Sequence, residues 1–122
     1  MTSARFNAFC KSLPHTAYVM QWGGAHVWKV GGPKGKVFAV AWFDGSAVAG
    51  ITFKCSGMSY EMLKEVEGCR PAPYFASRGM KWIQRVNDKG LVDWDLKIYL
   101  RQSHHLASLN LTKRLRRELG FE

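Results

Sequence analysis

The order of periodicities along this chain predicts an α+β fold built on an antiparallel sheet. Three observations carry the prediction. Apolar residues near the N-terminus recur at helical spacing. From Ala17 to Cys55 the pattern alternates with a period of two across short connections. Helical spacing then returns over a long stretch near the C-terminus. A length of 122 residues suits one domain, residues 1–122, with a single sizeable core.

Thr2 or Ser3 can cap a first helix, because a side-chain oxygen there accepts from an amide left orphan at the helix start. Phe6, Phe9, Cys10 and Leu13 line one face, and Pro14 ends the helix by pushing the residue before it out of helical geometry. Tyr18, Met20 and Trp22 alternate with Ala17, Val19 and Gln21 in a strand broken by Gly23-Gly24. His26, Trp28 and Val30 alternate with Val27 and Lys29 in the next. The Gly31–Gly35 stretch, with Pro33, predicts a hairpin tip. It lacks the full phosphate-loop pattern, and a strand rather than a helix follows it. Lys36 to Phe43 and Ala47 to Cys55 are two more strands around the hairpin dipeptide Asp44-Gly45. Gly50 signals a bulge or a close backbone approach.

Ser59 is the expected cap of a short helix carrying Met62, Leu63 and Val66, which Gly68 ends. Pro71 and Pro73 force an extended segment after it. Tyr74–Ala76 and Trp82–Val86 read as two further strands, followed by a turn at Asn87–Gly90. Asp93 is the expected cap of the main helix, about 94–109. There Leu96, Tyr99, Leu100, Ser103 and Ala107 form the core stripe, and Lys97, Arg101, His104 and Ser108 a polar one. Thr112 is positioned to cap a last short helix.

Hydrophobic residues make up 47% of the chain and aromatics 13%, which excludes a largely disordered polymer. No apolar run approaches the roughly 20 residues that cross a bilayer, and the N-terminus lacks a signal-peptide core. A soluble, cytoplasmic protein without a membrane partner is expected. Cys10, Cys55 and Cys69 are too widely spaced for a metal-binding pair and are read as free thiols.

The net charge of +9 is more informative, since such an excess attracts polyanions and speeds their association. No acidic residue precedes Asp44, whereas Arg5, Lys11, Lys29, Lys34 and Lys36 all do. A solvated basic surface and a polyanion site account for this equally well.

Four landmarks occur in order. Trp22-Gly23 precedes Val27-Trp28-Lys29-Val30, and Thr52-Phe53-Lys54-Cys55 closes a strand. Gly68-Cys69-Arg70-Pro71-Ala72-Pro73-Tyr74 leads to Lys81-Trp82-Ile83. Leu100-Arg101-Gln102-Ser103-His104 precedes Lys113-Arg114. On these the chain resembles the MmcQ/YjbR family over residues 1–119. It departs from the family in carrying His104 in place of a tyrosine, and a longer stretch between Arg70 and Trp82. The resemblance implies a CyaY/frataxin-like fold, one twisted antiparallel β-sheet packed on one side by helices, and a DNA-binding role.

The residues expected to meet nucleic acid, DNA above all, are Lys29, Lys54, Lys81 and Arg85 on strands and Arg70 and Arg78 around the Tyr74 loop. Lys97 and Arg101 on the long helix and Lys113 and Arg114 in the tail complete the set. Contacts to phosphates dominate this reading, and Trp28, Trp82 and Tyr74 are assigned to packing. The alternative is a protein-interaction or small-anion-binding module that uses the same basic face. No catalytic motif is present, so no enzyme, cofactor or metal is expected. The first helix has no carboxylate, and adjacent histidines such as His104 and His105 do not converge on one ion.

Overall fold

The computed structural model describes residues 1–45, 47–75 and 79–121. Arg78 and Ala76, named above, lie outside them. A first helix, α1 (Ser3–Ser12), leads into β1 (Thr16–Gln21), β2 (Ala25–Val30), β3 (Lys36–Asp44) and β4 (Ala47–Lys54). Then come α2 (Gly57–Leu63), β5 (Cys69–Pro71), β6 (Trp82–Arg85), α3 (Asp93–Ser108) and α4 (Lys113–Glu118). The strands form one six-stranded antiparallel sheet in the order β1-β2-β3-β4-β6-β5. The first four strands are the expected meander. β6 slots between β4 and β5, because the α2 excursion carries the chain past one strand position before the β5–β6 hairpin turns back.

One face of the sheet is covered by helices. Trp28, Ala39, Ala41, Ile51, Phe53 and Ile83 meet Phe6 and Cys10 of α1 and Leu96, Leu100 and Ala107 of α3 there. Ser103 anchors α3, donating to the Phe38 carbonyl at 2.6 Å while its oxygen accepts from the Lys54 amide at 2.8 Å. A bulge between Trp28 and Lys29 of β2 explains how consecutive Phe38 and Ala39 both reach this core. The opposite face carries a smaller apolar cluster, Ala25, Val27 and Val40, flanked by Val37 and Trp42.

Several local expectations change. Ser56, not Ser59, caps α2 by accepting from the Ser59 amide at 3.2 Å, so the helix begins earlier. Val92 is the residue preceding α3, which has no side-chain cap; Asp93 is its first helical residue. The Asp93 carboxylate is drawn to Arg85 instead. His104 and Ser108 are buried rather than on a polar stripe. The His104 Nε2 bonds the Pro14 carbonyl at 2.7 Å, and Ser108 accepts from Arg116 at 3.3 Å. Pro73 to Phe75 is a turn rather than a strand, with Tyr74 in the left-handed region (φ 72°). Thr2 and Thr112 cap as expected, each accepting at 3.2 Å.

Candidate binding surfaces

The strand register divides the charges between the two ends of the sheet. At one end lie Asp44, at the close of β3, and Glu67, just before β5. The 88–95 segment brings Asp88, Asp93 and Asp95 to the same end, because Arg85 at the close of β6 pairs with Asp93 at 2.8 Å. The opposite end gathers the start of β3 and the close of β4, since Val30 pairs with Lys36, Ala39 with Phe53 and Lys54 with Trp82. The C-terminal segment packs here too. Gly31 lies so close to Leu111 that a Cβ on the glycine would sit 2.7 Å from a Leu111 methyl. Lys29, Lys34, Lys36, Lys54, Lys81, Lys113 and Arg114 thus share one end of the molecule.

The expected cations therefore fall into distinct settings. Lys29, Lys54, Lys81, Lys113 and Arg114 are brought to the basic end. Lys29 also reaches the Pro33 carbonyl at 3.4 Å, Lys81 lies over the Tyr60 ring at 5.5 Å, and Arg114 pairs with Glu118 at 3.1 Å. Lys97 and Arg101 project from α3 over the Phe9 ring of α1, 5.8 and 5.2 Å from its centre. Arg70, exposed on β5, reaches across to the neighbouring strand, with Nε and Nη2 both donating to Gln84 Oε1 at 2.8 and 2.6 Å.

Arg85 is a correction. It is 2% exposed, faces the helices, and donates to the Leu91 carbonyl at 2.9 Å and to Asp93 at 2.8 Å. It ties the 91–93 segment to the sheet and presents no charge to solvent. Alternation separates it from Lys54, since Ile51 is its partner and Trp82 that of Lys54. The hairpin lysines Lys34 and Lys36, in contrast, join the basic end although sequence reasoning left them out of the site. Their signal was proximity to a Gly-Pro turn, and only the Gly31–Leu111 packing makes them neighbours of the tail.

A second feature occupies the helix-free face, with its 73–75 wall in the β5–β6 connection at the basic end and Trp22 towards the other end. A cavity of about 520 Å³ opens between Trp22, Trp42, Pro73, Tyr74, Phe75 and Gln84. Trp22 follows β1 with φ 53° and Tyr74 follows β5 with φ 72°. Left-handed backbone at a large side chain costs on the order of 1–3 kcal/mol and gathers at functional sites. Phe75 stacks on Trp82 with ring centres 4.8 Å apart and planes at 19°. Gln84 is 8% exposed. Next to it in register is Thr52, whose buried hydroxyl has no hydrogen-bond partner among the described residues. Gly50 leaves room for the Gln84 amide, for a Cβ there would lie 2.8 Å from Nε2. Sequence reasoning assigned Trp28, Trp82 and Tyr74 to packing, and Trp28 and Trp82 are indeed buried. Trp22 and Tyr74 are instead 55% and 66% exposed.

Burial pushes the Cys55 thiol up to about 12, with the neighbouring Cys69 adding to the effect, and burial also raises Cys10 and Cys69. None of the three has the lowered value of an activated nucleophile. No group of three or more His, Cys, Asp or Glu positioned for a metal ion occurs among the described residues. Nor is any described helix long and apolar enough to cross a membrane.

One six-stranded antiparallel sheet with helices on one face makes this an α+β protein. The YjbR family model matches residues 11–106, so the chain belongs to the MmcQ/YjbR family. Its fold is shared by the crystal structure of Deinococcus radiodurans protein DR2400, a DUF419-domain protein. The two superpose with a TM-score of 0.82 at 22% identity, over 98% of this chain and 88% of that one. Among curated proteins, none matches.

Proposed function

We propose that this protein is a non-enzymatic DNA-binding protein that holds the phosphate backbone at the basic end of its sheet. The observation that carries this reading is the segregation of charge. Lys29, Lys34, Lys36, Lys54, Lys81, Lys113 and Arg114 share one end with only Glu61 and Glu118 near them, while Asp44, Glu67, Asp88, Asp93 and Asp95 lie at the other. A net charge of +9 that is also lopsided gives a stronger local field than the same charge spread evenly. Flexible lysines suit phosphates as point charges and read little sequence.

Titration of duplex DNA, single-stranded DNA and RNA at increasing salt tests the proposal. Affinity for DNA should fall steeply with salt as counterions are released. Paired alanine replacements at Lys34/Lys36 and Lys113/Arg114 should weaken binding to all sequences alike. Absence of DNA binding at low salt would refute it. Capture of inorganic phosphate or pyrophosphate, with no gain for longer polyanions, would favour the small-anion reading of the same surface.

A further inference from the structure

The cavity on the helix-free face is chemically unlike the basic end. Its walls are rings, and Arg70, the cation nearest in register to its floor, directs two donors to Gln84. Asp44 closes the strand that carries Trp42. Among the described residues, this lining favours a neutral flat molecule over an anion.

Gln84 determines which flat molecule. Only an oxygen can accept two bonds from a guanidinium, so the Arg70 contacts assign the amide orientation without ambiguity. Its Oε1 is occupied, and among the described residues nothing accepts from its Nε2. A side chain more than nine-tenths buried therefore offers the cavity a hydrogen-bond donor and no acceptor. Gly50 is the backbone clearance that the amide needs. Two wall residues, Trp22 and Tyr74, are held in left-handed backbone, the kind of strain that accompanies preformed ligand clamps. The volume of about 520 Å³ is that of a small-molecule site.

We propose that this cavity binds a neutral, planar heteroaromatic ring with a hydrogen-bond acceptor on its edge, stacked among Trp22, Trp42 and Tyr74 and read by the Gln84 amide. The inference goes beyond the polyanion reading and does not depend on it. Such a ring comes either from a free nucleoside-like small molecule or from an unstacked base of a single strand.

The test uses the full chain with inosine, which is neutral and has acceptors on its ring edge, and with indole, a ring that lacks one. Calorimetry and tryptophan fluorescence should show saturable inosine binding insensitive to salt, and at least tenfold weaker indole binding. Trp22→Asn removes an exposed ring at a position where asparagine tolerates the backbone. Gln84→Glu keeps a partner for Arg70 but replaces the donor with an acceptor. Both should weaken inosine at least tenfold, while Lys113→Ala/Arg114→Ala leaves it unchanged. If free inosine fails to bind, an inosine-containing single-stranded oligonucleotide in about 1 M salt, where backbone attraction is screened, isolates the base contribution. Loss of that binding in Trp22→Asn assigns the slot to an unstacked base. The proposal is overturned if indole binds as well as inosine. It is equally overturned if Trp22→Asn leaves the affinity intact, or if neither inosine nor the oligonucleotide binds.

Discussion

Arg70 directs both Nε and Nη2 to a single atom, the Oε1 of Gln84, at 2.8 and 2.6 Å. The bond spans neighbouring strands, since the two residues are partners in the β5–β6 register. Arg70 thereby acts on the sheet, and its substitution should be felt there. Arg70→Ala is expected to cost about 1 kcal/mol of stability, the net worth of a typical hydrogen bond, with little change in DNA affinity. Urea denaturation and a binding titration on the same variant check both halves. A large affinity loss with unchanged stability would return Arg70 to the binding surface.

The close approach of Gly50 to Gln84 yields a second expectation. Gly50→Ala places a methyl 2.8 Å from Nε2 and 3.0 Å from Cδ of that side chain, which must move and loosen its hold on Arg70. Overpacking of this kind costs roughly 1–3 kcal/mol. The loss should shrink in a Gln84→Ala background, because the clashing group is gone. A double-mutant cycle by urea melts measures the coupling.

Arg85 and Asp93 make a pH-dependent contribution. Burial works to raise the Asp93 carboxyl, but hydrogen bonds from Arg85 and from the Met1 amino group outweigh it and leave the value below the usual range. A carboxyl lowered on folding stabilises fully above its unfolded value of about 4 and loses that contribution as pH falls through the folded value. Stability measured from pH 6 downward should therefore decline less steeply in Asp93→Asn. Arg85→Ala, which strips a nearly buried charge from its partners, should cost about 2–4 kcal/mol.

His104 titrates with the same sign. Burial lowers its value, the bond to the Pro14 carbonyl opposes this, and the neighbouring His105 and His15 add to the lowering. Folding thus favours the neutral ring, and protonation favours the unfolded chain. Its stabilising contribution is complete above the ordinary histidine value of about 6.5 and fades as pH drops below it. His104→Gln, which keeps a donor for Pro14, should flatten the stability profile between pH 7.5 and 5.5 in chemical denaturation.

Thiol labelling should follow burial. With a disulfide reagent at pH 8, Cys69, half-buried at the sheet edge, is expected to react first. Cys55, pushed up to about 12, and Cys10, buried in the helix-side core, should react only on opening of the fold. Mass spectrometry of the labelled peptides gives the order.

The meander was legible because its information is local. Period-two alternation and glycine turns place β1 to β4 within a residue or two, and Gly50 announced both the register shift beside Trp42 and the close approach it permits. The site was less legible, for two physical reasons. Whether Arg85 or Lys54 meets solvent depends on which sheet face the helices cover, and helical cover is a tertiary fact. Trp22 and Tyr74 resemble core residues by composition, but their left-handed backbone turns them outward at a strand end and a tight turn. Nothing in the local pattern marks that. The basic end required a contact spanning the chain, Gly31 against Leu111, before its hairpin and tail lysines became one surface.

The excess of cations at one end, with most carboxylates towards the other, makes the molecule an electric dipole as well as a net cation. A uniformly charged protein arrives at a polyanion in any orientation and must then reorient. This one is turned by the field while still a Debye length away, roughly 8 Å at physiological salt. For the proposed polyanion partner, first collisions are then expected at the lysine-bearing end.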